Sequence, residues 1–230
     1  MNPVFALIIA PHPDDAEIGA GGTIARWIRE AKEVVYVVCT DGSKGSRDRS
    51  LTSAELAVIR QGEQLKAAET LGVTDVVFLN YHDQELEDTT EFRRDLVREI
   101  RRYRPEVVVT MDPYRRYIYH RDHRITGQAA LDAVFPAART HLSYPDLLAA
   151  GFAPHRVREM LFIGAEEINY RVDITDTFAT KVKALKCHRS QYKQKEDSPS
   201  WFEWIRRRDQ AMAEDESYDL AEAFYRVKIR

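Results

Sequence analysis

Apolar and polar positions along the first half of the chain follow two distinct rhythms. Val4-Phe5-Ala6-Leu7-Ile8-Ile9, Val34-Val35-Tyr36-Val37-Val38, Val76-Val77-Phe78-Leu79 and Val107-Val108-Val109-Thr110 are short apolar runs bounded by turn residues, the pattern of strands covered on both faces. Between them, residues 19–31, 52–71 and 92–103 carry apolar positions at helical spacing, such as Ile24, Trp27 and Ile28, and read as helices. Thr52 and Glu55 make a capping box, Gly72 stops that helix, and Pro105 leads into the fourth strand. This alternation predicts an α/β protein with a three-layer αβα, Rossmann-like fold and a mostly parallel sheet. In the doubly wound order 3-2-1-4, strands one and four are neighbours whose helices leave on opposite faces, so the loops after them border one crevice.

The second half is less regular. Residues 136–157 show no sustained period and contain Pro145, Gly151 and Pro154; they are expected to form a mobile, irregular segment near the pocket mouth. Met160-Leu161-Phe162-Ile163 and Tyr170-Arg171-Val172-Asp173-Ile174 read as strands, and 176–192 and 199–213 as helices. The alternating stretch Phe224-Tyr225-Arg226-Val227-Lys228-Ile229 reads as a terminal edge strand. The polar stretch 193–198 is too short for a domain linker. The chain of 230 residues, 44% of them hydrophobic, is expected to form a single domain with a sizeable core.

Charge narrows the partners. The 34 basic and 37 acidic residues are spread along the chain and leave a net charge of -3, which argues against nucleic acid or an anionic membrane surface. Arg206-Arg207-Arg208 lies in a mixed helical pattern and reads as a solvated face. Cys39 and Cys187 make neither a metal spacing nor a disulfide framework. With no signal-peptide pattern and no apolar run of spanning length, the expected location is cytoplasmic.

The chemistry concentrates after strand one, in Ala10-Pro11-His12-Pro13-Asp14-Asp15-Ala16-Glu17. Two adjacent carboxylates are costly to bury without a cation, and histidine is the commonest neutral metal ligand. Helix capping by Asp14 or Asp15 is the simpler reading, but it explains neither His12 nor the flanking prolines. The loop after strand four contains His120-Arg121-Asp122-His123 and supplies the missing ligand. His12, Asp15 and one of the two histidines make a two-histidine, one-carboxylate set that leaves a position for water, as in hydrolytic zinc sites. Asp14 and the other histidine are then free to act as general base and oxyanion donor. Gly19-Ala20-Gly21-Gly22 is not a dinucleotide loop, because Ile24 stands where a third glycine belongs and carboxylates stand where a pyrophosphate would sit.

Those two motifs, together with Gly21-Gly22-Thr23, Thr40-Asp41-Gly42, Arg60-x-x-Glu63, Leu71-Gly72, Asp83, Val172-Asp173-Ile174-Thr175 and His188-Arg189-Ser190-Gln191, resemble the LmbE-like, or PIG-L-type, de-N-acetylases of N-acetylglucosamine-containing compounds. The resemblance spans residues 3 to 192. It implies that His12, Asp15 and His123 hold zinc, that Asp14 is the base acting on the attacking water, that His120 faces the oxyanion, and that Arg60 and Asp83 contact sugar hydroxyls. The implied reaction is hydrolysis of the acetamide of an N-acetylated amino sugar, such as diacetylchitobiose or a thiol-pathway glucosaminide. Where the family usually has proline after the first histidine of the second motif, this chain has Arg121.

The residues also admit blander assignments. Arg60 could equally pair with Glu63 or Glu55 on a helix surface, and His82 and His188 read as solvated and structural. Tyr114, Tyr117 and Tyr119 either stack on a sugar or pack the loop. A metal-dependent phosphoesterase would want more carboxylate ligands, and a non-catalytic, zinc-containing sugar-binding protein would close its metal with four protein ligands. Relatives of this type assemble into trimers or hexamers, and Trp201, Phe202 and Trp204 are the expected anchors of a homo-oligomer interface.

Overall fold

The four apolar runs form the centre of one seven-stranded sheet in a computed structural model that describes residues 3–117, 119–196 and 200–230. The strands are β1 (Ala6–Ala10), β2 (Val34–Thr40), β3 (Asp75–Tyr81), β4 (Val107–Met111), β5 (Glu159–Ile163), β6 (Tyr170–Asp173) and β7 (Ala221–Lys228), in spatial order β3-β2-β1-β4-β5-β7-β6. The first five are parallel, and β7 runs antiparallel to both β5 and β6. The expected 3-2-1-4 order is therefore present. The helices are α1 (Asp15–Arg29), α2 (Ser53–Leu71), α3 (Thr90–Tyr103), α4 (Arg121–Val134), α5 (Pro145–Ala149), α6 (Phe178–Leu185), α7 (Arg189–Glu196) and α8 (Ser200–Ala211).

Every residue of β1, β2 and β4 is buried because both sheet faces are covered. Leu7, Ile9, Val35, Val37 and Val108 face Phe92, Leu96 and Ile100 of α3 and Ala129, Ala130 and Ala133 of α4. The alternate residues Ala6, Ile8, Val34, Tyr36 and Val109 face Ala20 and Ile24 of α1, Ala67 and Leu71 of α2 and Ala184 of α6. The period of two along each strand thus divides the apolar residues between two cores. The Thr52–Glu55 capping box is formed, and Gly72 ends α2 at φ 87°, a left-handed conformation suited to glycine. None of the described helices is long and apolar enough to cross a membrane.

Several elements of the second half differ from expectation. β7 lies between β5 and β6 rather than at an edge, and starts at Ala221. Its small first residues give little periodic signal, whereas Glu222 and Phe224 are both buried. The expected helix 176–192 is two helices, broken before His188, whose side chain is fully buried against Glu17. Residues 136–157 are pinned rather than loose. The Arg101 guanidinium, 2% exposed, donates to the carbonyls of Ala137, Ala138, Thr140 and Ser143. This segment also lies away from the crevice, because His155 Nε2 sits 2.7 Å from the carbonyl of Pro105, at the amino end of β4.

Candidate functional site

The chain turns sharply after β1. Thr40 at the end of β2 donates through its backbone N–H and its hydroxyl to the carbonyl of Pro11, both at 2.9 Å. Asp14 has φ 99° and makes no capping hydrogen bond, which removes the simple capping reading. Its backbone N–H donates to Gln64 Oε1 at 2.9 Å, and the strained conformation is held from α2. The second motif arrives from β4: Gly127 of α4 packs so closely that a Cβ there would meet the carbonyl oxygen of Met111 at 2.3 Å. That close approach brings the first turn of α4, with His120 and His123, up to the β1 loop. Arg121 donates to the carbonyl of Leu86, tying the loop down where the family has proline.

The sequence-derived residues converge. Asp15 Oδ2 lies 3.0 Å from His12 Nδ1 and 3.2 Å from His123 Nε2. The other ring nitrogen of His12, Nε2, is 3.0 Å from Asp122 Oδ2 and 3.2 Å from Asp83 Oδ1. The rings of His12, His120 and His123 stand 4.6 to 5.3 Å apart, and two overlapping donor sets have their ligand atoms within 4.8 Å of one another: His12, His120 and His123, and His12, Asp83, His120 and Asp122. Asp15 Oδ2 meets two members of the first set, His12 and His123.

These donors fit a cation. Asp14, Asp15, Asp83 and Asp122 are all buried around His12, and Asp122 Oδ1 has no partner. Burial opposes charging His12, yet its hydrogen bonds to Asp122, Asp15 and Asp83 raise its pKa well above the usual value; the site is short of positive charge. Asp15 is held well below the usual carboxylate range, because His123 and His12 outweigh the cost of its burial. Asp83 is lowered to about 2, where bonding to His12 outweighs burial. In a tetrahedral site with metal–ligand bonds of about 2.0–2.2 Å, neighbouring donors stand roughly 3.3 Å apart, close to the spacing around Asp15. Asp122 and Asp83 on the far nitrogen of His12 match the carboxylates that orient metal-ligating histidines.

Hydrogen bonding also separates the two later histidines. His120 Nδ1 accepts from the Asp122 backbone N–H at 3.1 Å, so the neutral ring carries its proton on Nε2 and presents a donor rather than a lone pair. Burial and the neighbouring imidazoles lower the pKa of His120, favouring that neutral ring. His123 directs Nε2 at Asp15.

Asp14 stands beside this group. Burial raises its pKa against the opposing charge of Arg60. Tyr192 donates to Oδ2 at 2.7 Å, and Arg60 Nη2 lies 3.4 Å from Oδ1. Arg60 is buried and also donates to the carbonyls of Pro13 and Gly42, while its Nε remains unpartnered. The surface-pair reading of Arg60 fails, since Glu63 binds Ser190 and Glu55 caps α2. Asp83 is equally buried, with Oδ2 accepting from the Lys44 N–H. The His82 side chain is 76% exposed, as expected of a solvated residue.

Asp122, Gln64 and Tyr192 are the contributors that sequence reasoning gave no role. Asp122 lay inside a recognised motif, Gln64 follows Arg60 by one helical turn, and Tyr192 directly follows His188-Arg189-Ser190-Gln191. Gln64 also donates to Glu17 at 2.9 Å, and Glu17 meets His188, so the first and last motifs touch. Trp201 stacks on Tyr192 with ring centroids 4.1 Å apart, and Phe202 packs against Trp201; both keep a partly exposed face.

The last elements brace α1. Gly22 and Thr23 N–H groups donate to Glu222 of β7, and the Ile18 carbonyl accepts from Arg208 of α8. Lys181, fully buried, joins Glu222 at 2.6 Å to Asp209 at 2.8 Å. The helix that begins with Asp15 is thereby clamped by residues some two hundred positions away.

A doubly wound α/β sheet with a His/Asp group able to hold a metal at its switch point defines the class of protein. Within that class, residues 7–134 match the PIG-L (GlcNAc-PI de-N-acetylase) family, and the chain belongs to it. It is 40% identical over 81% of its length to the diacetylchitobiose deacetylase of Thermococcus kodakarensis, covering 69% of that protein. A probable N-acetyl-alpha-D-glucosaminyl L-malate deacetylase of Bacillus anthracis is 30% identical, with 83% of each chain covered. The solved N,N'-diacetylchitobiose deacetylase from Pyrococcus horikoshii superposes with a TM-score of 0.92 at 35% identity, over 99% of this chain and 85% of that one.

Proposed function

We propose that this protein hydrolyses the acetamide of an N-acetylated amino sugar, releasing acetate and the free amine, with zinc held by His12, Asp15 and His123. The observation that carries the reading is Asp15 Oδ2 set between His12 Nδ1 and His123 Nε2, with the unligated carboxylate of Asp14 beside them. When bound, the metal supplies a Lewis acid and makes water a nucleophile near neutral pH. Asp14 takes the proton of the attacking water and returns it to the departing nitrogen. Burial strengthens its hold on that proton, while Tyr192 and Arg60 fix the direction of its two oxygens. His120, with Nδ1 occupied by the Asp122 N–H, donates from Nε2 to the carbonyl oxygen as negative charge develops there. Arg60 and Asp83 are assigned to the sugar hydroxyls, as the family resemblance implies, and Arg60 Nε is without a hydrogen-bond partner.

The relatives named above share an N-acetylglucosamine unit, and the 40% identity favours diacetylchitobiose as the substrate. The test is acetate release from diacetylchitobiose, N-acetylglucosaminyl malate and N-acetylglucosamine, using protein that has been stripped with chelator and then restored with zinc. Release from at least one substrate that disappears on chelation and returns with zinc is expected. No release from any of them by protein carrying one zinc per chain contradicts the reading.

A further inference from the structure

A cleft of about 590 Å³ opens beside the metal donors, with Asp15 and His123 in its wall. Sites for small molecules span about 300–1,000 Å³, so this one holds more than an acetamide. Its polar and aromatic groups come from three places in the chain. Arg115 and Tyr119 belong to the loop after β4, Gly164 directly follows β5, and Trp204 stands on α8. Gly164 and Trp204 lie beyond residues 7–134, so the stretch matched by the family does not by itself supply this wall.

The wall carries donors without partners. The Tyr119 hydroxyl is buried and has no hydrogen-bond partner among the described residues; buried polar groups rarely stay in that state without a ligand or water. The exposed Arg115 guanidinium lies 5.4 Å from the centroid of the Tyr119 ring and forms no ion pair among the described residues. Both groups converge on Gly164, where a Cβ would lie 3.8 Å from Arg115 Nη1 and 3.9 Å from the Tyr119 hydroxyl. Glycine keeps the space before them open. The acidic groups of the wall are engaged, Asp209 and Glu222 by Lys181 and Glu166 by the Arg116 N–H. Beside the free donors stand Ile163, Met212 and the half-exposed ring of Trp204. Apolar and aromatic surface with a few convergent donors suits a pyranose ring, which has C–H faces and a rim of hydroxyls.

Arg60 and Asp83 are not part of this wall. Both are buried, Arg60 Nη1 donating to the Gly42 carbonyl and Asp83 Oδ2 accepting from the Lys44 N–H. They and the cleft therefore meet different parts of a substrate. We infer that the cleft is the subsite for a second pyranose ring, with Arg115 and the Tyr119 hydroxyl donating to its oxygens and Trp204 lying against its C–H face. These three residues then make the enzyme prefer an N-acetylated disaccharide to the monosaccharide. The inference rests on the deacetylase reading above and narrows its substrate class.

The test measures kcat/KM of the zinc-restored protein for diacetylchitobiose and for N-acetylglucosamine, together with calorimetric binding of chitobiose and glucosamine. A second ring held by hydrogen bonds should favour the disaccharide by about ten-fold or more in kcat/KM, with chitobiose binding tighter than glucosamine by a similar factor. Arg115→Ala and Trp204→Ala remove exposed side chains and should each lower the disaccharide-to-monosaccharide ratio about five-fold or more. Tyr119→Phe keeps the ring that packs edge-on against His123 and should lower the ratio in the same direction. Equal kcat/KM for the two sugars, equal binding of the two amines, or a ratio unmoved by Arg115→Ala and Trp204→Ala overturns the subsite. If neither sugar is hydrolysed, the deacetylase reading itself fails, and the binding comparison in wild type and the three variants alone decides whether the cleft takes a second ring.

Discussion

Residues 6–134 and residues 159–228 both border the centre, but they are held there by different interactions. In the first stretch, apolar runs at strand period and helices at helical period lie next to one another in sequence and pack next to one another in space. In the second, the decisive contacts are buried and polar and span most of the chain. Lys181 joins Asp209 to Glu222, Arg208 reaches Ile18, and Tyr192 reaches Asp14. The first stretch supplies His12, Asp14, Asp15, His120 and His123, and the second holds them in place. The lesson is that a short sequence motif places a metal-type donor set, while its rigidity is assigned to residues with no motif of their own.

The comparison can be broken first at the motif. Asp14→Asn keeps the shape of the side chain and removes the base, so kcat should fall about 10²–10⁴-fold while zinc content per chain, read by elemental analysis, stays at the wild-type level. An unchanged rate would take Asp14 out of the reaction. A break in the brace should register instead as lost stability. Lys181→Met leaves two buried carboxylates without their cation, a change that costs about 3–5 kcal/mol and is read from the urea midpoint. A midpoint within error of wild type would show that the cluster is not what clamps α1. The sharpest junction between the two stretches is Tyr192→Phe. A hydrogen bond to a charged group contributes about 1.5–3 kcal/mol, so kcat should drop about ten-fold or somewhat more with KM and zinc content little changed. If KM rises instead while kcat holds, Tyr192 touches substrate rather than positioning Asp14.

Much of the first stretch was legible in the sequence. Unbroken runs such as Val34-Val35-Tyr36-Val37-Val38 can be buried only in a sheet covered on both faces, and right-handed crossovers leave few arrangements for four of them. The meeting of the β1 and β4 loops followed from that order, and the structure brings His12, Asp15, His120, His123 and Asp83 together there. What could not be read was set by distant partners. The helix 176–192 breaks because His188 turns inward to Glu17, and nothing local to His188 encodes that. Ala221-Glu222-Ala223 shows weak strand signal, yet Glu222 is buried because Lys181 and the turns of α1 satisfy it. Residues 136–157 lack a period because one guanidinium, Arg101, organises their carbonyls in place of a helix or a ladder.

The choice between the two later histidines remains the point on which the whole assignment turns, because His120 and His123 are three residues apart and both face His12. Bound zinc and acetate release measured side by side in His123→Ala and His120→Ala test it most directly. His123→Ala is expected to lose both the ion and the activity, whereas His120→Ala retains one zinc per chain with turnover sharply reduced. Zinc retained without His123, or lost on removal of His120, would contradict it.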